Sequence, residues 1–175
     1  TDPPYGVEYD PAWCNMEAAK GNLDHAYSRR IGHVTNDNNA DWSASWRLFP
    51  GDVIYAWAPP GPKHVDHLIG LEDSGFKVCA EIIWAKQHFV IGRGVYHYQH
   101  EPCWYAIRRD AKDHWMGGRD KSTLWEINAQ IGWMSGRQGE VTSHPTQKPI
   151  ECMARPIRNH DAPQVYDPFL GSGTT

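Results

Sequence analysis

The chain has 175 residues and a mass of 19.9 kDa, a length that suits one compact domain. Hydrophobic residues make up 40% of the chain and charged residues 22%, so a wholly disordered protein is excluded. No apolar run approaches the roughly 18 residues of a membrane helix, and residues 1–5 are no signal peptide. The four cysteines are scattered without a CxxC pair, which argues against a disulfide framework or a zinc ribbon. These features predict a soluble, cytoplasmic protein with no membrane partner.

The formal net charge of −4 counts against a nucleic-acid partner, but the charges are unevenly distributed. Residues 1–83 hold 6 Lys and Arg against 12 Asp and Glu, whereas residues 84–121 hold 7 against 4. The middle of the chain can therefore face phosphate groups although the whole chain is acidic.

In chain order, the hydrophobic pattern alternates between helices and strands. Residues 6–41 are polar and rich in Asn, Asp and Gly, which predicts a long mobile loop. Periodicity then predicts helices over 42–49, 64–74 and 148–159, the last broken at Pro156, and strands over 53–58, 76–84, 100–108, 123–127 and 164–167. This alternation indicates an α/β domain with a mainly parallel sheet.

Both ends of the chain resemble cut ends. It opens on a proline turn with no strand before it, and it stops at a glycine turn with no helix after it. Because a domain normally ends in a finished element, we expect residues 1–175 to be a single domain that is incomplete at both ends.

Ligands of open α/β sheets bind at the carboxyl ends of the strands, and two segments suit that position. The first is Asp2-Pro3-Pro4-Tyr5, where two prolines fix a carboxylate, exposed carbonyls and an aromatic ring at a set separation. Such a turn can hold a planar heterocycle, although this segment taken on its own favours a plain Pro-Pro turn with Asp as a cap. The second is Val165 to Thr175, where glycines after a strand let a ligand approach the backbone.

These segments occur together with His144-Pro145-Thr146-Gln147-Lys148-Pro149. With the three motifs DPPY, HPTQKP and DPFLGSGTT, the chain resembles the S-adenosylmethionine-dependent DNA amino-methyltransferases. The motif order, catalytic first and cofactor last, is similar to that of the circularly permuted β-class. Lys86 and His100-Glu101 also look like landmarks of this family. The resemblance covers nearly the whole chain and implies a Rossmann-like methyltransferase fold.

The resemblance implies a role for each motif residue. Asp2 and the Pro3 carbonyl would bind the target amino group, and Tyr5 would stack on a base flipped out of double-stranded DNA. The predicted catalytic residues are Asp2, Pro3, Pro4 and Tyr5. The predicted cofactor-binding residues are Asp167, Phe169, Gly171, Ser172, Gly173, Thr146, Gln147, Lys148 and Pro149. The cofactor is S-adenosylmethionine without a metal, and the target-recognition region is expected within 109–143.

The DPPY motif favours N6-methylation of adenine, since cytosine enzymes of this motif order tend to show SPPY. N4-methylation of cytosine is the nearest alternative. A DNA-binding remnant without catalysis, or an enzyme that methylates protein or small-molecule amides, is more distant. The resemblance further raises a homodimer, a cognate restriction enzyme and a prokaryotic or phage origin as expectations.

Histidine pairs with HxxH spacing, His64 with His67 and His97 with His100, make a metal site conceivable. The zinc-deaminase pattern is incomplete, because Ala106 stands where its second cysteine is required. With ten histidines in the chain, accidental pairs are expected, and we predict no metal site.

Overall fold

A computed structural model of the chain describes residues 1–20, 35–90, 92–128, 148–171, 173 and 175. These residues form two units, Thr1–Pro3 with Asp41–Thr175, and Pro4–Ala40. The elements are α1 (Pro11–Ala19), α2 (Ser43–Leu48), β1 (Val53–Trp57), α3 (His64–Asp73), β2 (Phe76–Val90), β3 (Tyr98–Arg108), β4 (Leu124–Glu126) and α4 (Ile150–Arg158). No described helix is long and apolar enough to cross a membrane.

The larger unit contains a four-stranded mixed sheet in the order β1-β3-β2-β4. Strand β3 runs antiparallel to both β1 and β2, and β4 pairs in parallel with β2. Strands β1, β2 and β4 therefore point in one direction, and β3 points in the other. The predicted α/β class is confirmed, but the described sheet is mixed and not mainly parallel, because β3 pairs antiparallel with both of its neighbours.

The first residue continues the sheet at the free edge of β1. The backbone nitrogen of Thr1 donates to the Tyr55 carbonyl (2.8 Å), and the Trp57 nitrogen donates to the Thr1 carbonyl (3.1 Å). This pair of bonds is the pattern of a parallel bridge. Asp2 therefore follows at the carboxyl end of the sheet, where β1 also ends.

The core of the larger unit lies between the sheet and helices α2 and α3. Ile54, Ala56 and Ala106 point inward from β1 and β3 because alternate strand residues share a face. Trp46 of α2 and Leu71 of α3 cover them and are fully buried. Phe169 packs edge-on against Trp42 and Trp46, with ring centroids 4.8 and 5.9 Å apart, so the segment after Asp167 is attached to this core.

The smaller unit, Pro4–Ala40, corrects the expectation of an uninterrupted loop over 6–41, because α1 lies within it. The Asp10 carboxylate accepts hydrogen bonds from the Ala12 and Trp13 nitrogens (2.9 and 3.3 Å), and proline occupies the first helical position. Both features favour a helix start. The Asp37 carboxylate accepts from the Val7 and Tyr9 nitrogens (3.3 and 2.6 Å).

Two further expectations from the sequence differ from the structure. Helix α4 continues through Pro156 to Arg158, because the proline falls in the last turn and displaces few helical bonds. Residues 164–167 form no strand, and Val165 and Tyr166 are exposed. An apolar segment needs a neighbouring strand to become one, and none of the described strands pairs with these residues.

Two residues of α2 allow the packing to be tested. The Trp46 side chain is 1% exposed and the Leu48 side chain is 79% exposed. Trp46→Ala should lower the free energy of unfolding by about 3–5 kcal/mol, because it removes a large buried ring. Leu48→Ala should change it by less than about 0.5 kcal/mol. Urea unfolding of the full-length protein measures both, and equal losses would contradict this packing.

Candidate active site

The structure brings the first and last motifs together at the carboxyl end of the sheet. The Thr1 hydroxyl donates to Oδ1 of Asp167 (2.5 Å), although the two residues are 166 positions apart. The same carboxylate oxygen accepts from the Phe169 nitrogen (3.0 Å). Asp2 and Asp167 therefore lie on neighbouring segments at the carboxyl end of the sheet, where the motifs predict a ligand site.

Lys148 lies at the centre of a charged cluster made of Asp2, Glu101, Lys86 and Lys148. Its Nζ is 2.6 Å from Oδ1 of Asp2 and 3.0 Å from Oε2 of Glu101. The other oxygen of Glu101 forms an ion pair with Lys86. The Lys148 side chain is only 4% exposed, and that of Asp2 is 27% exposed. This four-residue cluster contains two positive and two negative side chains, which together are neutral.

Burial and pairing act in opposite directions on these groups. Burial alone would raise the pKa of Glu101, but the ammonium groups of Lys148 and Lys86 outweigh it and lower that pKa to about 2. Burial would lower the pKa of Lys148, whereas the carboxylates of Asp2 and Glu101 raise it above its ordinary value. Lys148 is therefore a positive charge beside Asp2 at physiological pH.

Two tryptophan rings, Trp57 and Trp84, pack against the lysines of this cluster. The Lys148 ammonium is 5.1 Å from the centroid of the Trp57 ring, and that of Lys86 is 5.1 Å from the centroid of Trp84. The rings of Trp57 and Trp84 meet edge to face with centroids 6.3 Å apart. Aromatic faces attract cations, and the attraction grows when water is excluded. Trp57, the last residue of the apolar strand β1, thus helps to hold Lys148 in place.

The glycine turn after Asp167 leaves room beside its backbone. Gly171 and Gly173 have φ angles of +56° and +82°, which favour glycine. A Cβ at Gly173 would meet no atom of the described residues within 4 Å. Burial opposes ionisation of Asp167, but hydrogen bonds from Thr1 and Thr175 keep the pKa of its carboxyl group below the ordinary value. The turn therefore combines a carboxylate with an open, glycine-lined backbone.

The predicted site residues divide into three groups. Asp2, Pro3, Lys148, Asp167, Phe169 and the two described glycines lie in the larger unit. Pro4 and Tyr5 belong to the smaller unit. Thr146, Gln147 and Ser172 lie outside the described residues, as do residues 129–143 of the expected target-recognition region and residues 21–34 of the predicted loop. Pro149 caps the start of α4 next to Lys148.

Three residues in or beside this site were not assigned a role from the sequence: Glu101, Lys86 and Thr1. The resemblance includes Lys86 and Glu101 only as landmarks of the family. Their side chains form an ion pair because β2 and β3 bring the two positions together. Lys148 was expected on the cofactor side, but its amino group contacts Asp2.

A cavity of about 130 Å³ lies along β1 from Val53 to Trp57 in the larger unit. Residues of α4 and the segment around Val165 also line it, whereas Asp2 and Lys148 do not. Thr1, Pro168 and Thr175 are among its lining residues, so the cavity adjoins the Asp167 side of the candidate site.

Two histidines of the HxxH pairs, His64 and His97, have local partners. His64 Nδ1 is 2.5 Å from the Gly61 carbonyl, and its ring stacks on Trp104 with centroids 5.5 Å apart. His97 stacks on Phe89 with centroids 5.4 Å apart. Within the described ranges, no group of three His, Cys, Asp or Glu side chains is placed to hold a metal ion.

An α/β sheet with Asp2 and Asp167 on neighbouring segments at its carboxyl end, each within a motif of the resemblance, is typical of an amino-methyltransferase. The family model described as DNA methylase (N6_N4_Mtase) matches residues 1–175, the whole chain. The chain belongs to this family of DNA methylases.

Curated relatives agree with this assignment. Type II methyltransferase M2.MboI of Moraxella bovis is 24% identical over 190 residues, which cover 99% of this chain and 68% of the relative. Type II methyltransferase M2.LlaDCHI of Lactococcus lactis subsp. cremoris is 27% identical over 197 residues, which cover 99% of this chain and 69% of the relative.

Solved structures show the same fold. The complex of M1.HpyAVI with SAM superposes with a TM-score of 0.56 at 22% identity, covering 99% of this chain and 84% of that chain. A second structure of M1.HpyAVI gives a TM-score of 0.52 at 21% identity, covering 99% of this chain and 70% of that chain. The expected Rossmann-like methyltransferase fold is confirmed.

The charged cluster predicts an acid-dependent loss of stability. Because the pKa of Glu101 is lowered to about 2 from an ordinary value of 4.5, its charge stabilises the fold above that ordinary value and loses this effect as the pH falls towards 2. Glu101→Gln should therefore lower the free energy of unfolding by about 3 kcal/mol at neutral pH. The difference from the parent should shrink as the pH falls from about 5 to about 3.

Urea unfolding at both ends of this pH range measures the effect. Glu81→Gln is the matched control, because Glu81 is an exposed glutamate of the neighbouring strand β2. A difference between Glu101→Gln and the parent that does not change with pH would contradict the ion-pair assignment.

Proposed function

We propose that this protein transfers a methyl group from S-adenosylmethionine to the exocyclic N6 of adenine in double-stranded DNA. The observation that carries the proposal is the position of Asp2. Its carboxylate is fixed by Lys148 and lies on a segment that is hydrogen-bonded to the Asp167 glycine turn. The Asp2 carboxylate, which can bind an amine, and the glycine turn after Asp167, which suits a small charged ligand, thus lie at the same carboxyl end of the sheet.

Asp2 and Pro3 would make the target nitrogen reactive. The lone pair of an exocyclic amine is delocalised into the ring, so the amine is a poor nucleophile. Hydrogen bonds from the amine to the Asp2 carboxylate and the Pro3 carbonyl favour a pyramidal nitrogen with a localised lone pair. Lys148 contacts Oδ1 of Asp2, which leaves Oδ2 to accept from the amine.

The residues around Asp167 fit the methyl donor. When bound, S-adenosylmethionine supplies an electrophilic methyl group on a positively charged sulfur. The open backbone at Gly171 and Gly173 lets a ligand approach closely, and the Asp167 carboxylate is ionised nearby. The SAM complex of M1.HpyAVI, which shares this fold, supports the same choice of cofactor.

Asp2 would also receive the proton that transfer releases. As the new carbon–nitrogen bond forms, the nitrogen gains a positive charge, and it becomes neutral when it gives up one hydrogen. The Asp2 carboxylate is positioned as the acceptor because it already accepts a hydrogen bond from that amine. Lys148 would stay protonated throughout, since its carboxylate partners raise its pKa.

The substrate would enter as a base extruded from the duplex. The target nitrogen cannot be reached inside stacked DNA, so the base must be flipped and held between aromatic or apolar groups. Tyr5, three residues after Asp2, would supply the stacking ring. Asp at the first position of the motif supports adenine over cytosine as the target. A cytoplasmic location, a dimer and a cognate restriction enzyme stay predictions.

Asp2→Asn tests the proposal in the full-length protein. The substitution keeps the size of the side chain but removes the negative charge that receives the amine hydrogen. We expect methyl transfer to unmethylated DNA to fall at least about 100-fold. Binding of S-adenosylmethionine, measured by calorimetry, should change less than about threefold, because Asp2 does not contact it in this mechanism. Asp66→Asn, an exposed carboxylate in the first turn of α3, is the control.

The product identifies the base. After reaction with labelled cofactor, DNA is digested to nucleosides and analysed by mass spectrometry. N6-methyladenine is the expected product, whereas N4-methylcytosine would overturn the adenine assignment and keep the mechanism. Equal turnover by Asp2→Asn and the parent would remove Asp2 from catalysis.

A further inference from the structure

Strands β2 and β3 extend beyond the rest of the sheet as a two-stranded ribbon, residues 87–99, of which the structure describes all but residue 91. Strand β1 pairs with β3 only from Cys103 onward, and β4 pairs with β2 only up to Ala85. The ribbon pairs through Val90 and Tyr98 after a register shift. Val90 lies five positions after Ala85. At about 3.3 Å per residue, the ribbon therefore projects by roughly 15 Å.

The ribbon leaves the sheet at the edge that carries Asp2. Strand β2 runs in the direction of β1, and the ribbon lies beyond its carboxyl end, as Asp2 lies beyond the end of β1. Lys86 and Glu101 stand at the base of the ribbon and belong to the charged cluster that reaches Asp2 through Lys148. The ribbon therefore rises beside the catalytic carboxylate.

Contacts within the ribbon brace it. The Phe89 and His97 rings stack across the two strands at 5.4 Å. The Gln99 side chain donates to the carbonyls of Lys86 and Gln87 (3.1 and 3.2 Å). At its base, the Tyr98 hydroxyl occupies the space beside Gly61, where a Cβ would approach it within 2.4 Å. These contacts give the ribbon a fixed form.

The surface of the ribbon suits a polyanion with apolar faces. Residues 87–99 contain one arginine and two histidines but no Asp or Glu, in a chain with a net charge of −4. Val95 and Tyr96 at the tip are 92% and 91% exposed, and Phe89 is also exposed. Large exposed apolar side chains mark interaction sites, and a segment without acidic residues does not repel the phosphate groups of a duplex.

We propose that this ribbon is a DNA-contacting arm that enters the duplex groove beside the target base. The proposal rests on the proposed DNA substrate. A two-stranded β-ribbon fits the major groove of B-DNA, which is about 12 Å wide. With Asp2 at the base of the arm, Val95 and Tyr96 contact base pairs next to the extruded nucleotide. The arm binds the duplex itself, and the flipped base is bound at Asp2.

The test compares duplex with single-stranded DNA. In the full-length protein, the double substitution Val95→Ser with Tyr96→Ser should weaken binding by about tenfold for a short duplex that the parent protein methylates. Binding of the corresponding single strand should change less than about twofold, because it has no groove. Fluorescence anisotropy measures both affinities. Leu48→Ser, which replaces an exposed leucine near the opposite edge of the sheet, is the matched control.

Each outcome bears on the arm alone. Unchanged duplex affinity, or equal losses on both probes, would overturn it. Because both side chains are over nine-tenths exposed, the fold should be unaffected, and circular dichroism and S-adenosylmethionine binding check this. Failure of the proposed function would show separately, as a parent protein that neither binds nor methylates DNA.

Discussion

The buried ammonium of Lys148 is the constraint on which the rest of the site depends. Removing a charged group from water costs several kcal/mol unless partners compensate it. Here the compensation comes from Asp2, Glu101 and the Trp57 ring, which belong to the amino-terminal segment, β3 and β1. Lys148 itself lies two residues before the start of α4. One side chain therefore requires four distant segments to be in place at once, and it ties the Asp2 carboxylate to the completed sheet.

The direction of the strands explains why these segments meet. Thr1 bridges β1 in parallel, so the DPPY motif follows at the edge where β1 and β2 also end. The Thr1 hydroxyl donates a hydrogen bond to Asp167. Phe169 packs against Trp42 and Trp46 in the core and so fixes the turn that follows Asp167. Motifs at opposite ends of the sequence become neighbours because the sheet and its core both fix their positions. Function at the carboxyl edge is thus a consequence of topology.

Local patterns in the sequence predicted the regular elements well where burial decides them. The continuous apolar run of β1 and the spaced apolar residues of α3 predict bounds close to those observed. Helix α1 was missed because its apolar residues do not follow a helical period, although Asp10-Pro11 is a recognisable helix start. The 164–167 strand failed because strand formation depends on a neighbour. The motifs located Asp2 and Asp167, but the contact of Lys148 with Asp2 depends on tertiary structure that spacing does not reveal.

The charged cluster also connects Asp2 to the ribbon, residues 87–99, that projects beyond the sheet. Two lysines and two carboxylates share one partly dry site, so loss of any member leaves an unbalanced charge for the others. Glu101 is the member common to both sides, because it pairs with Lys86 at the base of the ribbon and with Lys148 beside Asp2. A displacement of the ribbon that moved Glu101 would change the field at Asp2 without touching it. Glu101 therefore couples the charge of Lys86 to that of Lys148 and, through Lys148, to the Asp2 carboxylate.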